Sequence, residues 1–124
     1  MGSRVKLTDA EKTRRLAEGV MGWKYSRADK HHHAAWKTVD GGYLRVDVWQ
    51  PIHNEAHAAE VRERMRELGY ILALYAHPHF HTVLWTNEKD RSKMAAWGLS
   101  SPSVSSSICH AALLAIGLAK EEEL

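Results

Sequence analysis

Residues 54–76, NEAHAAEVRERMRELGYILALYA, set a helix directly against a strand, and that junction decides the fold class. Ala58, Val61, Met65 and Leu68 recur at three- and four-residue spacing, so they share one side of an α-helix. Asn54 is a good N-cap, because its side-chain oxygen can accept from an amide that the first turn leaves unpaired. Gly69 supplies the left-handed residue that commonly ends a helix. Glu60, Glu63 and Glu67 with Arg62, Arg64 and Arg66 read as a solvated face with local ion pairs, and Arg62, next to the core residue Val61, is within reach of an interface. The run 70–76 that follows is apolar, short and bounded by glycine and proline signals, which predicts a strand.

Upstream of this unit, Asp40-Gly41-Gly42 separates two strand-like runs, 34–39 and 43–49, as a tight hairpin would. In the second run Tyr43, Arg45, Asp47 and Trp49 alternate with Leu44, Val46 and Val48, and Pro51 ends it. Residues 25–33 are polar and aperiodic and predict a loop, with His31, His32 and His33 in water and adventitious metal binding as their next reading. Thr8 and Glu11 form a capping-box pattern that starts a helix at Asp9 and carries it to Ala17 or Val20. Downstream, 79–86 and 93–97 predict two further strands. A last helix, at about 106–118, is apolar on two sides: Ile108, Ala111, Ala112 and Ala115 on one, Cys109, Leu113 and Ile116 on the other. Such a helix must be covered all round, by its own core or by another subunit, and a subunit interface is expected in so short a chain. The expected architecture is α+β: one domain over 1–124, a mostly antiparallel sheet of about five strands layered with three helices, and flexible ends at 1–7 and 120–124.

Seventeen basic residues face fifteen acidic ones, a formal net charge of +2, too small an excess for a general nucleic-acid binder. Nine histidines make that charge sensitive to pH near neutrality. A single cysteine, Cys109, excludes an internal disulfide and fits a reducing cytoplasm. The N-terminal residues lack the apolar core of a secretory signal, and the longest apolar run, 108–119, falls short of the ~20 residues that span a bilayer. Neither export nor membrane insertion is expected.

His77, His79 and His81 alternate along one strand and so point to one face. A metal site, an anion or base contact and a merely solvated face are all open for them. Pro78 and the lack of a nearby acidic residue count against metal, and no cofactor or metal is expected. Ser105, Ser106 and Ser107 at a helix start can offer hydroxyls and amides to phosphate or simply cap the helix. Cys109 and His110 are neighbours about 100° apart on a helix, which is poor geometry for a thiol nucleophile. No phosphate loop, paired catalytic carboxylates or nucleophile elbow is present, so binding is expected rather than catalysis.

Three local patterns occur in order: Arg15-Leu-Ala-Glu-Gly-Val-Met-Gly-Trp23, Trp49-x-Pro51-x-x-Asn54, and Ser107-Ile-Cys-His-Ala-Ala-Leu-Leu-Ala-Ile116. Together, over about Leu16 to Ile116, they resemble the phage ABA sandwich domain family. The resemblance implies a sheet layered with helices in a phage or prophage protein of the bacterial host cytoplasm. Among proteins of this size it points to the Thoeris anti-defence sponges, homo-oligomers built on dimers, up to hexamers, which sequester cyclic ADP-ribose isomers and in some cases cyclic oligonucleotides without cleaving them. It also implies site residues: Phe80 to stack on a base, Asn87 or Arg91 as donors, and His110 at the final-helix position; the residue reading adds His79 and His81 as base or anion contacts, Ser106 and Ser107 at a helix start that can meet phosphate, and Arg62 at an interface. Where the family pattern favours arginine or a small apolar residue, this chain has His110. A phage structural or protein-interaction module is the alternative reading, and a metal-dependent phosphodiesterase using His77, His79 and His81 is a third.

Overall fold

The computed structural model describes residues 6–76, 81–90, 92–97 and 103–124. Thr8 and Glu11 close the capping box from both directions, the Thr8 hydroxyl accepting from the Glu11 amide at 3.1 Å, and helix α1 runs Asp9–Gly19. Three short strands follow, β1 (Lys24–Ser26), β2 (Ala35–Lys37) and β3 (Tyr43–Arg45). Helix α2 spans Glu55–Glu67 from an Asn54 cap and buries Ala58, Val61 and Met65. Strands β4 (Tyr70–Ala76), β5 (His81–Asn87) and β6 (Met94–Trp97) lead to helix α3, Val104–Ile116. A turn of 3-10 helix, Glu121–Glu123, closes the described chain.

The class is α+β with three helices, as expected, but the strands form two sheets, β1-β2-β3 and β4-β5-β6, each antiparallel throughout. The single five-stranded sheet expected from the sequence is corrected on two counts. β1 overlaps the start of the segment read as a loop, since its three residues are too few to show a hydrophobic period and are held by the ladder to β2 and by the Tyr25 ring, which meets Trp36 edge-on and lies under the Arg14 guanidinium. The run 43–49, read as one strand, leaves the ladder after Arg45: the Val48 amide turns back to the Arg45 carbonyl at 3.1 Å, and the Gln50 amide donates to His57 Nδ1 at 3.0 Å. The alternation past Arg45 marks a turn that carries Trp49 into the core. The hairpin at 40–42 is present, with Gly41 at φ +90° and Thr38 and Gly42 bonded across it.

Helix α3 is the centre of the molecule. It packs on α1, α2, β5 and β6, and both of its apolar sides are buried within the chain. The expected subunit interface on this helix is therefore corrected, because the chain's own two helices and second sheet cover it. The core it belongs to also holds Trp36, Trp49 and Trp85, all fully buried. Trp49 Nε1 donates to Glu60 Oε2 at 2.7 Å and Trp85 Nε1 to the Ile108 carbonyl at 3.2 Å, so two of these indoles meet the requirement that a buried N–H be paired.

The tail expected in solvent folds back instead. The Leu7 amide donates to the Glu123 carbonyl at 2.8 Å, the Arg15 guanidinium donates to the Leu118 carbonyl at 2.6 Å, and Leu124 is buried at 9% exposure. Burial of the terminal leucine and a short bridge between the two ends outweigh the polarity of the glutamate run. Among the described residues no helix is long and apolar enough to cross a membrane.

Candidate functional site

Among the described residues, the expected site residues occupy separate places. Asn87 caps the turn after β5, its Oδ1 accepting from the Lys89 and Asp90 amides at 2.9 and 3.0 Å. Ser106 and Ser107 are buried in the first turns of α3: the Ser106 amide takes the Ser103 cap at 3.1 Å and the Ser107 hydroxyl donates to the Ser103 carbonyl at 3.2 Å. The expected capping by Ser105, Ser106 and Ser107 is corrected: Ser103 is the cap, and these three serines lie buried inside the helix it starts. His110 is interior as well, its Nε2 3.2 Å from Lys12 Nζ. Burial first, and the Lys12 ammonium second, push its pKa down to about 4, so the ring is neutral at pH 7 and accepts from Lys12. Arg62 stands apart, on a groove of about 540 Å³ between α2 and β4 that it shares with Arg66, Tyr70, Trp85 and Glu88. His77, His79, Phe80 and Arg91 lie outside the described residues, and His81 is the first residue of β5. Cys109 is buried, and burial pushes its thiol up, which makes it inert as a nucleophile.

Polar groups converge instead beside the first sheet. After β1 the chain makes a turn organised by Asp29, whose carboxylate accepts from the His31 and His32 amides, both at 2.8 Å, and meets the His32 ring at 3.1 Å. These bonds, the His31 amide first and the His32 ring second, hold the Asp29 carboxyl below the ordinary carboxylate range. The turn presents Arg27, His31 and His33 across from Tyr43 and Arg45 of β3, and the cleft between them measures about 500 Å³. Tyr43 is 67% exposed, an aromatic face open to a ligand. Arg45 is steadied by a two-bond pair with Asp47, at 3.0 and 2.7 Å, which also holds the Asp47 carboxyl low. Among the described residues Arg27 has no carboxylate within ion-pair distance, and the Asp29 carboxylate lines the same cleft.

A second cleft of about 620 Å³ adjoins the first, with His33 common to both. Its wall carries Asp9, Asp47, Gln50 and His53, and His53 Nε2 lies 2.5 Å from Asp9 Oδ2. Among the described residues no group of three or more histidine, cysteine or acidic side chains is placed to hold a metal ion.

The sequence assigns no role to Arg27, Tyr43 and Arg45, while its placing of His31, His32 and His33 in water holds, since all three are exposed where they line the cleft. One signal was legible: Tyr43, Arg45 and Asp47 share a strand face that mixes aromatic and charged groups. The closure of the loop by Asp29 gave no comparable sign, because a side-chain turn of that kind has no period.

No curated protein and no solved structure matches this chain. The family model of the phage ABA sandwich domain matches residues 14–113. That stretch runs from within α1 to within α3 and takes in both sheets, the cleft beside β3 and the burial of α3 on which the fold depends. By that extent the chain belongs to the phage ABA sandwich domain family and is a phage protein domain.

Proposed function

We propose that this domain is an anti-defence protein that binds a cyclic nucleotide immune signal and holds it intact, acting as a homo-oligomer in the host cytoplasm. The observation that carries the reading is the cleft beside the first sheet. It combines an exposed tyrosine ring with two arginines and a histidine-bearing loop in about 500 Å³, inside the 300–1,000 Å³ range usual for small-molecule sites. A cyclic nucleotide offers a base that can stack on Tyr43 and phosphates that Arg27 and Arg45 can pair with. The choice of cyclic ADP-ribose isomers as first candidates, and of sequestration over cleavage, rests on the resemblance to the Thoeris sponges.

The test is a thermal-shift panel of cyclic ADP-ribose isomers and cyclic dinucleotides. A true ligand at 100 times its dissociation constant adds about 2.7 kcal/mol to stability, which is a rise of several degrees for a domain of this size. Heating the complex should return the ligand unchanged by mass spectrometry. Tyr43→Ala and Arg27→Ala should each weaken binding about tenfold or more while leaving the melting temperature of the free protein within a degree or two. A hydrolysed product would favour the phosphodiesterase reading, and no shift across the panel would favour the interaction module.

A further inference from the structure

Among the described residues the second sheet is covered on one face only, and there short of its end, since Leu74 on that face is 51% exposed. Leu72, Val83, Trp85 and Ala95 point inward to the core. Strand alternation then sends Ile71, Ala73, Tyr75, Thr82, Leu84, Thr86, Met94 and Ala96 to the other side. The register sets them in three cross-strand rows: Ile71–Thr86–Met94, Ala73–Leu84–Ala96 and Tyr75–Thr82. No described residue of this face is charged, although 26% of the chain is. Ile71, Tyr75 and Met94 are 53%, 53% and 52% exposed. Antiparallel sheets that face water usually alternate polar residues outward.

We propose that this face is the homodimer interface, two copies of the sheet packing face to face about a twofold axis. The inference rests on the homo-oligomer in the proposed function and names the surface that forms it, which α3 cannot. Two features select a second copy as the occupant. A twofold contact brings each residue near its own equivalent, so a like-charged patch would repel itself, whereas a face of aliphatic, aromatic and threonine side chains meets itself without that cost. The size also suits a weak contact of this kind, since eight residues in three rows, with Ile71, Tyr75 and Met94 each about half exposed, make a patch at the small end of specific interfaces, which start at about 1,000 Å² for the pair. Two sheets packed this way interdigitate at about 10 Å, with strand directions within about 30°. Contact at that limit of area implies a dimer that dissociates on dilution.

The experiment is sedimentation over a range from low micromolar to near-millimolar concentration. The wild-type chain is expected to pass from its single-chain mass of 14.0 kDa to twice that value. Ile71→Lys and Met94→Lys, both at exposed positions, should stay monomeric throughout while keeping the wild-type circular dichroism spectrum. Leu84→Cys, in the middle row, should form an intermolecular disulfide under mild oxidation, with little background because Cys109 is buried. A wild-type chain monomeric at every concentration overturns both the interface and the oligomer. A dimer that persists in both lysine variants overturns the interface alone. Neither outcome touches ligand binding, which the thermal-shift panel reads separately.

Discussion

His110 and Lys12 form an interior pair in which a neutral imidazole accepts from an ammonium, and protonating the imidazole would set two cations 3.2 Å apart. The folded pKa of His110, about 4, lies below the ordinary histidine value near 6.5 that the unfolded chain retains. Between those values the unfolded chain binds more protons than the folded one, so stability rises with pH across that window and falls as acid is added. The loss is expected to begin near pH 6.5, to be complete near pH 4 and to reach about 3 kcal/mol by urea denaturation. His110→Gln, which keeps an acceptor for Lys12, should flatten this part of the profile, and an unchanged slope in that variant would place the acid response elsewhere. The pair was not legible in the sequence: residues 12 and 110 stand on different helices, and nothing local marks a lysine near the start of α1 as buried. Thr8, Asn54 and Gly41 were legible, because caps and tight turns depend on a few neighbouring residues.

At the scale of elements, α1, α2 and β4 were readable because each carries its period and its stop signals within its own length. β1 was not, since a three-residue strand has too few positions to show alternation. α3 is legible as a helix, but it begins two residues before the expected Ser106, with the cap on Ser103, and its apolar faces do not tell what covers them. An all-round apolar helix has the same composition whether its own fold or a partner surrounds it, and only tertiary packing tells them apart. Because α3 is central, truncating it has a predictable cost: Leu113, fully buried, is expected to lose about 3 kcal/mol on Leu113→Ala. Its C-terminal residue Gly117 sits at φ +84° while its amide closes onto the carbonyls of Leu113 and Leu114. Gly117→Ala has room for the added methyl yet should lose about 1 kcal/mol from the left-handed backbone alone. Chemical denaturation of both variants against wild type checks the ranking, and equal losses would mean that α3 bears less of the core than its burial implies.

For the molecule as a whole, the class of the fold was within reach of sequence patterns, and the division into two sheets was not. Which strands pair is decided by contacts between distant residues, and a strand of three residues fits either sheet equally well by composition. The candidate cleft has the same origin, since Arg27 and the histidine loop meet Tyr43 only because β1, β2 and β3 make their own small sheet. The bond from the Leu7 amide to the Glu123 carbonyl also has a topological meaning: the backbone comes close to a ring. Fusing residue 124 to residue 6 through a few glycines and serines, and reopening the chain between Gly41 and Gly42 at the exposed hairpin tip, should yield a circular permutant with the parental circular dichroism spectrum and a similar denaturation midpoint. The new ends would then flank β2 and β3, so a reporter dye attached there would sit close to the tyrosine and the two arginines, and this rearranged chain could serve as an optical sensor for whatever enters that cleft.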